Sequence, residues 1–280
     1  IVQSAHPLTA LARSPADGRI VAAGTSHVLR TSTDNGASWQ LGMLGTFTEN
    51  YPFLDLVWSP SANAFIGHVM IGANQYAYRS SDGASWTRLG DMPCYGALAA
   101  SPARMVNVGS SLVGACAATS VDGVTWSAVT PPSSTILKGV FWTGSQFIAV
   151  GSSGAIATSA DGLAWTAQAS GVTATLHGAA SSPTMIVVVG SNGTILTSGD
   201  GGVTWIPRSS GTTSTLRRAV FTGAEFFVVG TGGRLLRSSD GLVWSSQATS
   251  WTTELNNILW LPDVSRLVLV GQHGLTALSP

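Results

Sequence analysis

The chain has little charge of either sign. Of its 280 residues only 9% are charged, against about 25% in an average globular protein, and Lys138 is its single lysine. The formal net charge is zero, so the chain has no overall positive charge that would attract nucleic acid or an anionic membrane. Because 44% of the residues are apolar, its composition also excludes a disordered chain.

Several kinds of segment are missing. No apolar run approaches the roughly 20 residues of a membrane-spanning helix. No signal peptide or initial Met is seen, so we expect that a leader has been removed or that the chain is a fragment of a longer one. The five histidines lack metal-ligand spacing, and the glycine pairs of GSSG, GSNG and GTGG lack the lysine and helix of a phosphate loop. We predict no metal site, no cofactor and no nucleic-acid partner.

The chain contains one short segment six times. The copies are TSTDNGASW (31–39), RSSDGASW (79–86), TSVDGVTW (119–126), TSADGLAW (158–165), TSGDGGVTW (197–205) and RSSDGLVW (237–244). Their aspartates are 48, 40, 39, 39 and 40 residues apart. Runs rich in Val, Ile, Phe, Trp and Thr, broken by Gly, Ser and Asp, lie between them without a helical period. A repeat of this length predicts an all-β fold, a β-propeller of four-stranded antiparallel blades.

The first strands of the repeats give the number of blades. They align as LTALARSP, FLDLVWSP, YGALAASP, LKGVFWTG, LHGAASSP, LRRAVFTG and LNNILWLP, which predicts seven blades. The seventh unit, residues 255–280, ends after three strands. We predict that residues 1–5 supply its fourth strand, because Gln3 aligns with Gln168 and Gln247. Residues 1–280 then form a single domain whose two ends close one blade and protect its edge.

The repeated segment resembles the Asp-box repeat of bacterial neuraminidases, S-x-D-x-G-x-[ST]-W. The first and fifth copies keep that spacing, and the other four are one residue shorter. In that family the box forms the turn between the third and fourth strands, on the face opposite the usual active site. A structural role is also favoured because Asp accepts N–H bonds within its own turn, Gly takes a left-handed conformation and Trp fills space between sheets. We interpret as structural the residues Asp34, Asp82, Asp122, Asp161, Asp200, Asp240, Trp39, Trp86, Trp126, Trp165, Trp205 and Trp244.

Ligand binding is expected on the other face, the top face, where the loops differ from blade to blade. These loops join each fourth strand to the next blade and each second strand to the third, as GANQ and GSSLVGAC do. The starts of the innermost strands should ring the channel there. Arg217 and Arg218 are adjacent on one such strand and are expected to point to opposite faces. The candidate ligand-binding residues are Tyr51, Asp55, Lys138, His177, Arg217, Trp251, Asn256 and His273.

This polar set has more than one interpretation. Trp251 or Tyr51 suits stacking on a sugar ring, with amide, imidazole and guanidinium groups bonding its hydroxyls. A protein partner and a solvated funnel without a ligand are the alternatives. A glycosidase requires two carboxylates roughly 5–10 Å apart, and on the top face this layout allows only Asp55 with Glu49 or Glu254. We assign no catalytic residue and retain a glycoside hydrolase or polysaccharide lyase of the Asp-box type as an alternative function.

The resemblance extends to propellers with several functions. They include lectin-like domains, domains of polysaccharide-degrading enzymes, phage tail or receptor-binding proteins and photosystem II assembly factors. An assembly factor of the last kind is expected to carry an arginine cluster on one face, whereas we expect the twelve arginines here to be spread across both faces. We therefore predict a non-catalytic propeller, extracellular or carried by a virion, that binds a glycan or a protein partner. A purely structural component or an assembly factor is the remaining alternative.

Cys94 and Cys116 are the only cysteines, and both map to the upper end of the third blade. One precedes the first strand of that blade and the other begins the third. First and third strands lie roughly 9–10 Å apart, too far for a direct disulfide within the sheet. The segment GSSLVGAC is longer than its counterparts, which would allow it to fold back. A disulfide and two small buried thiols are both compatible with the sequence.

Overall fold

The computed structural model describes residues 6–25, 28–42, 52–131 and 134–279. Seven antiparallel sheets form a ring, which confirms the predicted seven-bladed propeller. Each first strand contacts the first strands of the neighbouring blades, and β1 of the first blade contacts β25 of the seventh, so the first strands surround a central channel.

Six of the sheets contain four strands paired in chain order. In blades 1 to 3 the strands are β1 Leu8–Arg13, β2 Ile20–Gly24, β3 Leu29–Ser32, β4 Gln40–Leu41, β5 Phe53–Ser59, β6 Ala64–Ile71, β7 Asn74–Ser80, β8 Thr87–Asp91, β9 Tyr95–Ala100, β10 Met105–Ser111, β11 Gly114–Ser120 and β12 Ser127–Val129. In blades 4 to 6 they are β13 Leu137–Trp142, β14 Phe147–Gly151, β15 Ile156–Ser159, β16 Thr166–Gln168, β17 Leu176–Ser181, β18 Ile186–Gly190, β19 Ile195–Ser198, β20 Ile206–Arg208, β21 Leu216–Phe221, β22 Phe226–Gly230, β23 Leu235–Ser238 and β24 Ser245–Ser246.

Blade 7 consists of three strands within the described ranges, β25 Leu255–Leu261, β26 Arg266–Gly271 and β27 Thr276–Leu278. The fourth strand that we assign to residues 1–5 lies outside the described residues, so closure by the N-terminal segment stays a prediction. On the inner side, the Nδ2 of Asn256 donates to the carbonyl of Leu8 at 2.9 Å, and that of Asn257 to the carbonyl of Thr9 at 3.2 Å. These bonds join blade 7 to blade 1 beside the channel.

The second and third strands connect in two different ways at the top face. In blades 4 to 7 a single 3-10 turn joins them, at Ser152–Gly154, Ser191–Gly193, Thr231–Gly233 and Gln272–Gly274. In blades 2 and 3 the strands continue through the segments predicted as loops, and only residues 72–73 and 112–113 remain between them. The prediction of loops at GANQ and GSSLVGAC is wrong in this respect, because the ladder pairing extends to Ile71↔Asn74 and Ser111↔Gly114.

The core lies between the blades. Every residue of β14 and of β18 is buried, since each sheet is covered on both faces by its neighbours and its inner strands can be apolar throughout. One cluster combines Ile148 and Val150 of blade 4 with Val188, Leu196 and Trp205 of blade 5. The aromatic side chains of the repeated segments thus lie between adjacent sheets.

The repeated segments form the turns between third and fourth strands, at the bottom face. In every copy the Ser hydroxyl donates to Oδ1 of the Asp two residues later. The Trp Nε1 donates to the carbonyl of the Gly, at 3.0–3.2 Å. That Gly has a φ between +67° and +91°, which a residue with a side chain rarely adopts. All of these bonds are made within the turn itself.

The longer and shorter copies of the segment differ in the hydrogen bonds that their Asp carboxylates accept. In the longer copies a hydroxyl, from Ser38 or Thr204, donates to the Asp Oδ2 at 2.5 Å. The Ser38 hydroxyl and amide are the main cause that lowers the pKa of Asp34 to about 2, and Thr204 lowers the pKa of Asp200 in the same way. Because these carboxylates are saturated by their own turns, they have little capacity left for a ligand.

Candidate functional site

The first strand of six blades contains a β-bulge at its second residue. The strand ladder passes over that residue, as between Leu216↔Gly230 and Arg218↔Val229 in blade 6. A bulge leaves its extra residue unpaired and re-aims the side chain. The six bulged residues are Thr9, Leu54, Lys138, His177, Arg217 and Asn256. All six, with Arg218, line one cavity of about 160 Å³ where the innermost strands begin, and we name these seven residues the channel mouth.

The channel mouth is cationic on the side of blades 4 to 6. Lys138 is exposed, and Arg217 and Arg218 follow two blades further around the ring. The Nη2 of Arg217 lies 2.8 Å from Oε2 of Glu254, which also accepts from Gln272 at 3.3 Å. The Nε of Arg217 is buried and has no hydrogen-bond partner in the structure. Within the described ranges, the Glu254 carboxylate thus pairs with one of the three cationic side chains of the channel mouth, Arg217.

The prediction that Arg217 and Arg218 point to opposite faces is wrong, since both line the channel mouth. Strict alternation holds for a regular strand, and the bulge between Leu216 and Arg218 interrupts it. The Nη1 of Arg218 donates to the carbonyl of His177 at 2.9 Å, which fixes its direction. Lys138 and the two arginines, which are far apart in the sequence, thus lie together at one end of the channel.

His177 lies among these cations. Its Nε2 is 2.9 Å from the Ser191 hydroxyl. Burial lowers the pKa of His177 to about 4, and the charges of Arg217, Arg218 and Lys138 lower it in the same direction. The imidazole is therefore neutral at pH 7 and makes the channel mouth a polar site with three cations rather than four.

His177 should make stability depend on pH. Its pKa is lower in the folded chain, so the unfolded chain takes up the proton first as the pH falls from 6.5 towards 4. Stability present above pH 6.5 is thus lost towards pH 4, by about 1–2 kcal/mol after allowance for partial solvation of the ring. We expect His177→Gln to reduce that loss in urea unfolding at pH 7 and pH 4.5. His6→Gln, at an exposed position, is the control, and equal losses in wild type and His177→Gln would contradict this prediction.

Asp55 is placed away from the channel mouth. It is 8% exposed, and its carboxylate accepts the backbone N–H of Leu56 at 2.8 Å and of Leu98 at 2.9 Å. The second bond joins blade 2 to blade 3. Glu254 is engaged with Arg217, so the described members of the predicted carboxylate pairs are both bound to groups of the protein. Glu49 lies outside the described residues.

The other candidates do not all converge. Lys138, His177, Arg217 and Asn256 meet at the channel mouth. Trp251 packs against an apolar cluster of blades 6 and 7. His273 is at the tip of a 3-10 turn with a φ of +54°. Tyr51 lies outside the described residues.

Sequence reasoning missed Thr9 and Leu54, which line the same cavity as the four candidates that meet there. A signal for them was present, because all bulged residues occupy the second position of the aligned first strands. Blade 3 is the exception. Its ladder is regular from Tyr95↔Ser110 to Ala97↔Val108, so the strand has no bulged residue, and no residue of this strand lines the channel mouth.

The structure joins Cys94 and Cys116 in a disulfide, with their Cα atoms 5.4 Å apart. The expected separation of 9–10 Å does not apply, because Cys94 precedes β9 and is free of its ladder. Gly109, the partner of Cys116 in the ladder, lies so close to the incoming chain that a Cβ there would be 2.1 Å from the carbonyl oxygen of Tyr95. Two glycines facing each other, Gly96 and Gly109, therefore allow the two cysteines to meet.

Two further observations concern kinds of site. Within the described ranges, no three His, Cys, Asp or Glu side chains come together as metal ligands would. Among the helices of those ranges, none has the length and apolar character required to cross a bilayer.

Comparison with known proteins supports the fold. No family model and no curated protein matches the chain. Among solved structures, YCF48 from Cyanidioschyzon merolae has a TM-score of 0.74 at 16% identity, covering 99% of this chain and 96% of that one. A structure of YCF48 bound to a D1 peptide has a TM-score of 0.76 at 18% identity, covering 99% of this chain and 93% of that one. At these identities the similarity shows a shared propeller fold.

Proposed function

We propose that this chain is a non-catalytic propeller that binds a protein partner through the channel mouth and the top face around it. The observation that carries the proposal is the set of six bulges, each of which aims one side chain into a single cavity. A bulge interrupts the ladder of its blade. Because six blades have a bulge at the same position of the first strand, a binding role for that position is favoured over a packing role.

The charge of the channel mouth favours an acidic segment of the partner. Arg217 and Arg218 present guanidinium groups that bond carboxylates in a planar, two-pronged geometry, and Lys138 adds a point charge. A propeller of the same fold has been solved with a bound peptide, which is compatible with a protein partner here.

The alternatives have less support. A glycosidase needs two carboxylates that are free to act, and those of Asp55 and Glu254 are held by backbone amides and by Arg217. A sugar-stacking role for Trp251 is weakened by its packing in an apolar cluster. We also infer that the six bottom turns are Asp-box turns with a structural role. An extracellular or virion location stays part of the proposal, and the disulfide supports an oxidising compartment.

A peptide array and a glycan array, probed with the same protein samples, test the proposal. We expect acidic peptides to bind the wild-type protein. Lys138→Glu should weaken this binding about ten-fold, because the substitution reverses an exposed charge at the site. Arg266→Glu makes the same change in net charge at the exposed start of β26, on the bottom face, and is the matched control. Glycan binding abolished by Lys138→Glu, without acidic-peptide binding, would contradict the proposal.

A further inference from the structure

At the top face, the hairpins of blades 2 and 3 are taller than those of blades 4 to 7. In blade 2, β6 and β7 have eight and seven residues, and in blade 3, β10 and β11 have seven each. The corresponding strands of blade 4, β14 and β15, have five and four. In blade 2, β6 continues for two residues beyond Val69, which pairs with Phe53 in the ladder. At about 3.3 Å per residue, the ends of these hairpins stand above the 3-10 turns of blades 4 to 7.

A cavity of about 650 Å³ lies between the two tall hairpins, and we name it the hairpin slot. It is lined by residues 73–75, 91–93, Tyr95 and 110–113. The hydroxyl of Tyr95 donates to Sδ of Met70 at 2.9 Å, which holds the ring against the hairpin of blade 2. Leu112 and Val113, at the end of the blade 3 hairpin, have relative exposures of 107% and 96%. Two adjacent, fully exposed aliphatic side chains at the edge of this slot make no contribution to the core.

The hairpin slot and the channel mouth lie on the same top face of adjoining blades. The first strand of blade 3 has no bulge, and the side chain of Tyr95, at the start of that strand, faces the slot. Its neighbours around the ring, Leu54 of blade 2 and Lys138 of blade 4, both line the channel mouth. A few residues of extended chain can therefore reach from one site to the other.

We propose that the hairpin slot and the channel mouth together receive one extended segment of the protein partner, with an apolar side chain in the slot and an acidic side chain at the mouth. This inference rests on the proposed function and specifies the chemistry of the partner segment. The fixed cations of the mouth select the acidic residue, and the apolar wall formed by Leu112 and Val113 selects the apolar one.

The structure also indicates which of the two partner residues lies nearer the channel. Asp91 ends β8, the outermost strand of blade 2, and lines the slot with its side chain 87% exposed. Arg88, 3.6 Å away, neutralises it only in part because both groups are solvated. A second carboxylate is disfavoured at that outer end, so the acidic residue of the partner lies towards the channel. The disulfide from Cys116 on β11 to Cys94 holds one wall of the slot in place before binding.

The test is selection from a displayed library of random peptides, carried out with wild type and three variants. Leu112→Ser combined with Val113→Ser alters the slot at fully exposed positions, so folding should be unchanged. Lys138→Glu alters the mouth. Val243→Ser, at a 75% exposed site in a bottom turn, is the control for loss of a surface aliphatic side chain. Selected peptides are then measured individually by fluorescence anisotropy.

We expect wild type and Val243→Ser to select peptides with an apolar residue a few positions from acidic ones. The slot variant should bind these peptides about ten-fold more weakly and should retain acidic peptides that lack the apolar residue, whereas Lys138→Glu should weaken both classes. Selection of acidic peptides without an apolar preference, unaffected by the slot variant, would overturn this inference and leave the proposed function standing. Selection of no peptides by wild type would overturn both.

Discussion

Replacing Trp205 by alanine is expected to lower the free energy of unfolding by about 3–5 kcal/mol, the range for large aromatic residues removed from a core. The side chain is 8% exposed and lies in the cluster formed by Ile148 and Val150 of blade 4 and Val188 of blade 5. Its Nε1 donates to the carbonyl of Gly202 at 3.0 Å. The substitution removes the contacts that the Trp205 ring makes between the two blades, and it removes one hydrogen bond of the turn. Urea unfolding followed by fluorescence of the remaining tryptophans measures the effect.

The next residue along the chain provides the control. Ile206 is 51% exposed, so Ile206→Ala should change the free energy of unfolding by no more than about 0.5 kcal/mol. Peptide binding at the channel mouth, on the other face, should stay the same for Trp205→Ala under conditions where the variant is folded. A loss of affinity with no loss of stability would show that the repeated segments have a function other than holding blades together.

The repeat made the fold predictable from the sequence. Each copy carries its own turn chemistry, with Ser, Asp and Gly bonded to one another over a few residues, so no information from distant parts of the chain is needed. The aligned first strands also indicated the number of blades, because six of the seven start with an apolar residue, such as Leu137, Leu176 or Leu255, that is buried in the structure. Local signals repeated seven times are strong evidence for a propeller.

The site was less predictable because it depends on pairing between strands. Lys138, His177 and Arg217 were recognised as residues at the channel, but the direction of Arg218 was predicted incorrectly. Whether a side chain follows the alternation of a strand depends on the partner strand, and the bulge appears only when Leu216 and Arg218 are matched to β22. The sequence of a single strand contains no such signal.

The role of Asp55 was also hard to predict, because it depends on contacts between blades. A polar residue at the start of an innermost strand is compatible with ligand binding as long as its neighbours are unknown. The structure shows that the third position of these strands serves contacts with the next blade, through the carboxylate of Asp55 or the amide of Asn257. At Gly178 a Cβ would be 2.5 Å from the carbonyl of Arg217, so the blades touch there through backbone.

Reduction of the Cys94–Cys116 disulfide is expected to destabilise the chain by about 3 kcal/mol. The bond closes a loop between residues 22 positions apart, and the chain-entropy model gives that cost for a loop of this size. For a chain of this length we expect the melting temperature to fall by about 5–10 °C. Thermal unfolding with and without a dithiol reductant measures the difference.

The double variant Cys94→Ala, Cys116→Ala provides the control for the reductant. It should melt near the temperature of reduced wild type and show no response to the reductant, because the bond is its target. The effect should also be local, since the bond connects the segment before β9 to β11, within blade 3. Hydrogen exchange should therefore quicken first in β10 and β11, which form one wall of the hairpin slot, while β14 and β18 stay protected. Equal loss of protection in all blades would contradict this local role and would mean that the bond stabilises the ring as one cooperative unit.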